Sequence, residues 1–298
     1  MSDIKLFKTE ENSVFELQSS SAKIEKSLQT KIETDLNIYL GIHFLDSEYS
    51  TGAKHGGRID TLGIDENGSP VIIEYKRSMN ENVINQGLYY LDWLLDHKAE
   101  FELLVLRNMG QDRSEEIDWS NPRLLCIAGD FTKYDEHAVK QMNRNIELIR
   151  YRNFSDDLLL LELVNVTEAN SEVTTDTNFT KKNVTDYLNA ADQELTDLYY
   201  SLRDYLFNLG DDVQEKTLKH YIAYKRIKNF ACVEIHPQSK KLYVYIKLNP
   251  DEIDLQEGFT RDVREIGHYG TGDLEITLKS VEDFDRAQTL IVKSYELS

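Results

Sequence analysis

The stretch RIDTLGIDENGSPVIIEYK, residues 58–76, decides the fold of the first half of this chain. Its centre, Asp65-Glu66-Asn67-Gly68-Ser69, is polar and rich in residues that tolerate a positive φ, and apolar runs flank it at 59–64 and 71–75. That pattern predicts a β-hairpin. With the turn centred on Asn67, simple antiparallel register sets Asp60 opposite Glu74, their Cβ atoms about 5 Å apart. Side chains alternate along a strand, so Arg58, Asp60, Glu74 and Lys76 share one face at the open end, above Leu62, Ile64 and Ile72 at the turn end. Two carboxylates placed this way destabilise a sheet by up to about 1 kcal/mol unless a cation joins them. Mg²⁺, which is held by one or two carboxylates together with waters and substrate phosphate, suits such a pair. A structural ion-pair network, with Lys76 and Arg58 neutralising the acids, is the other reading of the same residues.

Helices are expected on both sides of the hairpin. Over residues 22–40 the apolar positions Ile24, Leu28, Ile32, Leu36 and Leu40 recur every four residues, with Ser20 or Ser21 as N-cap and Gly41 as the stop. Glu33 lies beside that stripe and can look inward. After the hairpin, Ile84, Leu88, Leu91 and Leu95 form a second stripe, while Gln86, Tyr90 and Trp93 share a neighbouring face. Tyr89, Tyr90 and Trp93 can stack on bases, although aromatic residues on such a helix serve packing more often.

The run Gly56-Gly57-Arg58-Ile59-Asp60, then Val71 to Arg77 with Glu74-Tyr75-Lys76 at its centre, then Gln86, resembles the PD-(D/E)XK nuclease superfamily, in particular NucS-type endonucleases of RecB-like fold. The likeness covers roughly residues 20–110. Ile59 stands where the proline that names the superfamily would be. The resemblance implies a restriction-endonuclease-like α/β fold, a mixed sheet flanked by helices. It implies that Glu33, from the preceding helix, joins Asp60 and Glu74 as a metal ligand, and that Gln86 helps orient the site. The implied reaction is phosphodiester hydrolysis: Mg²⁺ or Mn²⁺ on Asp60, Glu74 and Glu33 polarises the phosphate and activates a water, and Lys76 orients that water or stabilises developing charge. Products with 5′-phosphate and 3′-hydroxyl ends follow from the family, not from spacing.

Composition restricts how such a site meets its substrate. With 34 basic against 53 acidic residues the formal charge is −19, so a sequence-blind coating of DNA by a basic surface is excluded. Binding has to be local. Lys54, His55, Arg58 and Arg77 surround the proposed site, and residues 216–228 carry Lys216, Lys219, His220, Lys225, Arg226 and Lys228 without an acid, interleaved with Tyr221 and Tyr224. Solvated basic faces are common, so this stretch also has an ordinary reading.

A length of 298 residues suggests two domains. Thr, Asn, Glu, Asp and Ser dominate residues 166–183, which read as a linker between a first domain, 1–165, and a second, 184–298. In the first, a small leading hairpin is expected at 4–18, buried strands at 101–106 and 123–128, a helix at 136–145, and closing strands at 146–151 and 158–164. In the second, helices are expected at 191–208 and 281–296 around strands at 230–236 and 242–248, an α+β sandwich. Lys219 to Lys225, Asn229-Phe230-Ala231 and Ser280 to Asp285 resemble an uncharacterised C-terminal domain that trails such nuclease domains, in genes sometimes labelled predicted transport proteins.

No apolar run approaches the roughly 20 residues that span a bilayer, and Met1-Ser2-Asp3 begins no cationic and apolar leader, so a cytoplasmic protein without membrane contact is expected. Cys126 and Cys232 sit in apolar, strand-like settings and read as buried thiols. No spacing suggests zinc, and the Gly56-Gly57 pair permits a close backbone approach rather than cradling phosphate. Three functions remain. The first is a Mg²⁺-dependent DNA endonuclease in repair or defence against foreign DNA, a homodimer if it cuts duplexes. The second is a catalytically silent, nuclease-derived module that binds nucleic acid or protein. The third is a regulatory or transport-associated protein acting through its C-terminal domain.

Overall fold

The computed structural model describes residues 4–20, 25–76, 83–155, 157–167 and 184–298, with the side chains of Ser20 and Lys54 left aside. Contacts divide the chain into two compact units, residues 1–174 and 175–298.

The first unit opens with the expected hairpin, β1 (Leu6–Glu10) and β2 (Ser13–Leu17), followed by a short β3 (Ser19–Ser20). The single helix expected over 22–40 is two, α1 (Glu25–Thr34) and α2 (Leu36–Leu40), broken at Asp35 where φ is −138° and ψ 48°. The apolar spacing runs straight through the break, so it left no trace in the stripe. Gly41 ends α2 in the left-handed conformation expected of a stop. The caps proposed at Ser20 and Ser21 lie outside the described side chains. Then come β4 (Ile42–Ser50), a single turn α3 (Gly52–His55), β5 (Arg58–Asp65) and β6 (Pro70–Lys76). Helices α4 (Val83–Asp96), α5 (Lys98–Met109) and α6 (Gln111–Glu115) lead to β7 (Arg123–Ala128), and α7 (Lys133–Lys140) leads to β8 (Asn145–Phe154) and β9 (Leu158–Thr167).

These strands form one mixed, seven-stranded sheet in the order β3-β8-β7-β6-β5-β4, with β9 also on β8. β6, β7 and β8 are parallel, and β4, β5 and β6 are antiparallel. Helices cross between the parallel strands, as such connections require. The result is the mixed sheet flanked by helices that the sequence led us to expect. Helix α4 covers the face carrying Leu62, Ile64, Ile72, Leu124 and Cys126. Its buried arc is Val83, Ile84, Gly87, Tyr90, Leu91, Trp93 and Leu94; Leu88 and Leu95, expected in the stripe, are only half-buried.

Residues 101–106 are a correction. They were expected as a strand and form the middle of α5, where only Phe101 and Val105, four apart, are buried. Leu103 and Leu106 stay exposed. A short apolar run cannot by itself separate strand from helix. The helix expected at 136–145 starts earlier, because Thr132 and Asp135 form a reciprocal capping box at its N-terminus.

The second unit contains α8 (Val184–Asn189), α9 (Gln193–Phe207), β10 (Gln214–Thr217), β11 (Ile222–Lys225), β12 (Asn229–His236), β13 (Lys241–Ile246), β14 (Thr260–Asp262), β15 (Leu274–Leu278) and α10 (Val281–Glu296). Its strands form an antiparallel six-stranded sheet in the order β10-β11-β12-β13-β15-β14. Asp192 caps α9 through Leu195 N–H and Ser280 caps α10 through Asp283 N–H. Leu198, Leu202, Leu206, Ala287 and Ile291 from these helices share one core with Phe230, Val233, Val244 and Ile276 of the sheet. Cys126 and Cys232 are both buried thiols, in no disulfide among the described residues.

Candidate active site

Strands β5 and β6 pair Thr61 with Ile73, Leu62 with Ile72, Gly63 with Val71 and Ile64 with Pro70. Continued by one residue, that register sets Asp60 opposite Glu74. The main-chain ladder stops just there. Beyond it the carboxylates take over: Asp60 N–H donates to Glu74 Oε1 at 3.1 Å, and Tyr75 N–H donates to Asp60 Oδ2 at 3.0 Å. Each acid thus grips the opposite strand's backbone, and the hairpin opens around two acidic side chains.

Glu74 is fully buried, and its second oxygen, Oε2, has no hydrogen-bond partner among the described residues. Burial, with Asp60 alongside, pushes its carboxyl up to about 9. Burial raises Asp60 as well, against the opposing pull of Tyr75 N–H and Lys76. The Lys76 side chain is 15% exposed and its ammonium meets Glu25 Oε1 at 3.1 Å. Two hard oxygen donors under mutual repulsion, one of them keeping a buried oxygen without a partner, fit a hard divalent cation. Among the described residues no three His, Cys, Asp or Glu side chains converge on one point. Such an ion would take Asp60 and Glu74 as protein ligands and complete its shell from water and substrate.

The structure does not bring Glu33 to this pair. Its carboxylate accepts from Thr61 Oγ1 at 2.5 Å, Gln29 Nε2 at 2.9 Å and Ser47 Oγ at 3.1 Å. Thr61 alternates with Asp60 along β5 and points to the other side of the sheet. The helix acid that reaches Lys76 is Glu25, eight residues earlier. Nothing local in the sequence marks it, because the contact joins residues 51 apart through the packing of α1 on β6.

Gln86 stands where the sequence placed it, at the start of α4. It lines a cavity of ≈ 560 Å³ together with Glu48, Ser50, Arg58, Asp60 and Tyr90. Gln86 Nε2 donates to the Tyr90 hydroxyl at 3.4 Å, and the same oxygen accepts from Arg58 N–H at 3.2 Å. Tyr90 therefore links helix to strand at the cavity wall. Gly57 permits this: a Cβ there would lie 2.6 Å from the Tyr90 ring. Gly57→Ala is accordingly expected to displace Tyr90 and cost about 1–3 kcal/mol, read as a lower urea midpoint. Tyr90→Ala in the same chain should recover part of that loss.

The other sequence candidates are scattered. Arg58 projects from the cavity rim with a side chain 69% exposed. His55 is half-buried, its ring 5.4 Å from Tyr89 and 5.7 Å from His97. Of the helix aromatics, Tyr90 and Trp93 are buried and Tyr89 is exposed. Arg77 and the Lys54 side chain lie outside the described residues. In the second unit, Lys219 is exposed in the β10–β11 turn, but Lys225 is buried in β11. Arg226 pairs with Asp212 at 2.7 Å and lies over the Tyr295 ring, and Lys228 is half-buried in the next turn. Read along the chain these cations form a stripe, whereas in the fold Lys225 is buried and Arg226 is paired with Asp212.

Three comparisons bear on the chain. Residues 184–298 match the family described as "Domain of unknown function (DUF5655)". A Haemophilus influenzae protein described only as "Uncharacterized protein" is 29% identical over 303 aligned positions, covering 97% of this chain and 98% of that one. A repair endonuclease from Pyrococcus abyssi is 16% identical over 45% of this chain and 50% of its own, with a TM-score of 0.29. A structure of an EndoMS–dsDNA complex is 16% identical over 48% and 49%, with a TM-score of 0.26. The match spans about half the length of these solved structures, and likeness of that degree decides neither fold nor activity.

Proposed function

We propose that the first unit is a Mg²⁺- or Mn²⁺-dependent phosphodiesterase that cuts DNA, an endonuclease of repair or of defence against foreign DNA. The observation that carries this is the replacement of main-chain pairing by Asp60 and Glu74, which leaves Glu74 Oε2 buried without a hydrogen-bond partner among the described residues, within the field of the Lys76 ammonium. A bound divalent ion would polarise the scissile phosphate and supply a more acidic water. Asp60, at the cavity wall, and Glu74 behind it would hold that ion. Lys76 places a positive charge next to both acids, where negative charge grows as the phosphate is attacked. Gln86 and Tyr90 fix the opposite wall. A chain with one such site would need two copies to cut both strands of a duplex, hence a proposed homodimer.

The deciding experiment incubates the protein with labelled duplex, mismatched, branched and single-stranded DNA, and with RNA, in Mg²⁺ or Mn²⁺, with Lys76→Ala as control. Cleavage by the wild type that the variant loses supports the reading. If both leave every substrate intact, it should be withdrawn.

One observation favours the silent, binding-only alternative: Glu74 is fully buried, and only its partner Asp60 lines the cavity. Stability against pH separates the two. The Glu74 carboxyl is raised from 4.5 to about 9, so between those values the folded protein keeps a proton that the unfolded chain releases. Its stabilising effect is complete below 4.5 and is lost as pH rises towards 9. Melting temperature is therefore expected to fall across that window, and Glu74→Gln to flatten the fall. If the site takes a cation, Mn²⁺ raises the wild-type melting temperature more at pH 8 than at pH 6, and Glu74→Gln removes that gain. A silent module with a sealed, protonated Glu74 shows the pH slope and no response to Mn²⁺.

A further inference from the structure

Across β4, β5 and β6 three acids stand level. Ser47 lies opposite Thr61 and Tyr49 opposite Ile59, which sets Glu48 beside Asp60, as Asp60 is set beside Glu74. Glu48 has φ 54°, a left-handed conformation that a side-chain-bearing residue adopts at a cost. The cost has a visible effect. Residues two apart in a regular strand share a face, yet Ser47 donates to Glu33 on the α1 side while Tyr49 packs on Trp93 of α4, rings 5.6 Å apart. Glu48 is where β4 turns over, and the turn aims its carboxylate at the cavity. One oxygen takes Lys26 Nζ at 2.7 Å and the other faces Arg58 Nε at 3.7 Å.

Among the described residues neither cation is used up by this. Lys26 also donates to Gln29 Oε1 at 3.2 Å, which leaves a third N–H. Arg58 turns Nε towards Glu48 and keeps both Nη groups, on a side chain 69% exposed. Glu48 thus stands between two cations, and with Arg58 and Asp60 it lines the cavity of a chain whose overall charge is −19. Backbone phosphates are what such a fork recognises.

We propose that Glu48 is a positioning residue that holds Arg58 at the cavity rim, with Lys26 on its other oxygen, as a subsite for a nucleic-acid phosphate adjacent to the one attacked beside Asp60. The inference rests on the phosphodiesterase reading for the second phosphate and on the observed ion pairs for the first. It accounts for a glutamate at a position where glycine would adopt the backbone at lower cost. It also predicts a sign: an acid that merely cancelled charge would, once removed, let the cations bind phosphate better, whereas an acid that positions them weakens binding when it is lost.

The test measures anisotropy of a labelled DNA duplex, the matching single strand and an RNA duplex with the full-length protein in Ca²⁺. Glu48→Gln is expected to bind about fivefold more weakly, and its log–log salt slope on duplex DNA should fall by about 0.9 for each phosphate no longer neutralised. Arg58→Ala should do the same, and the Glu48→Gln/Arg58→Ala double variant should lose less than the sum of the two single losses, because Glu48 acts in part through Arg58. Glu48→Gly separates this role from a structural one: it is expected to melt no lower than wild type yet to bind as weakly as Glu48→Gln, while Glu48→Asp restores part of the affinity. Binding by Glu48→Gln as tight as wild type, or tighter, overturns the proposal, as does absence of binding by the wild type. Cleavage of the same duplex in Mg²⁺ is scored separately. Weakened binding without any wild-type cleavage removes the phosphodiesterase reading and leaves the subsite, and cleavage with unweakened binding does the reverse.

Discussion

Replacing Lys76 by alanine is expected to lower single-turnover DNA cleavage by about 10²- to 10³-fold, the effect typical of losing one preorganised charge at a reacting centre. The expectation follows from what surrounds the ammonium. Among the groups that act on both Asp60 and Glu74, Lys76 is the cation and Glu25 a further anion. Without Lys76, Asp60 and Glu74 keep the repulsion of Glu25 and lose this attraction, so the two carboxyls hold their protons more tightly and less of the ionised pair is present at neutral pH. The activity that remains should shift towards higher pH for the same reason. Glu25→Gln should act in the opposite sense on the two carboxyls, because a neighbouring negative charge is removed, and its cost in rate should be much smaller. Both variants are read at saturating protein in Mg²⁺, beside melting curves that show them folded. Equal rates for wild type and a folded Lys76→Ala would remove Lys76 from the chemistry and leave it a structural partner of Glu25.

What the sequence disclosed and what it concealed divide along physical lines. The hairpin, its register and the opposition of Asp60 and Glu74 were legible because turn chemistry and a period of two are local signals. That the ladder gives way to carboxylates at this point was not, since it depends on how far neighbouring strands splay. The break at Asp35 was hidden by apolar spacing that continues through it, and α5 was hidden because a short apolar run satisfies either period. Glu33 was placed beside the site from its family position, yet three donors hold it on the other face; Glu25 takes its place next to Lys76 through a contact no window of sequence contains. Glu48 depends on one left-handed residue within a strand, a conformation that composition does not announce. The basic stretch 216–228 looked continuous because charge was read along the chain, whereas burial of Lys225 and the pairing of Arg226 with Asp212, residues distant in that reading, depend on the fold.

Replacing Arg123 by methionine is expected to destabilise the first unit by about 3–5 kcal/mol, the usual result of removing one partner from a buried ion-pair network. Arg123 is 6% exposed; its Nη1 meets Asp65 Oδ2 at 2.8 Å, and its Nε and Nη2 donate to the two oxygens of Glu147, each at 2.8 Å. Asp65 also accepts from Asn67 N–H and Ser69 N–H, so it shapes the hairpin turn that sets the register of Asp60 against Glu74. Arg123 thus pins that turn to β7 and β8. Methionine deprives two buried carboxylates of their guanidinium, which raises the pKa of both. The loss should therefore be large at pH 7 and shrink as pH falls and both acids take up protons. Urea unfolding at pH 7 and pH 5 measures this directly. A second chain carrying Arg123→Met with Asp65→Asn and Glu147→Gln should recover much of the stability, since the penalty belongs to buried negative charge that has lost its guanidinium rather than to the missing bonds. Cleavage should follow the same order, because a turn free to slip by one residue sends Asp60 to the opposite face of the sheet. A pH-independent loss below about 1 kcal/mol would show that Arg123 contributes no more than an exposed pair does, and the register would then have to be held by the apolar face of the hairpin alone.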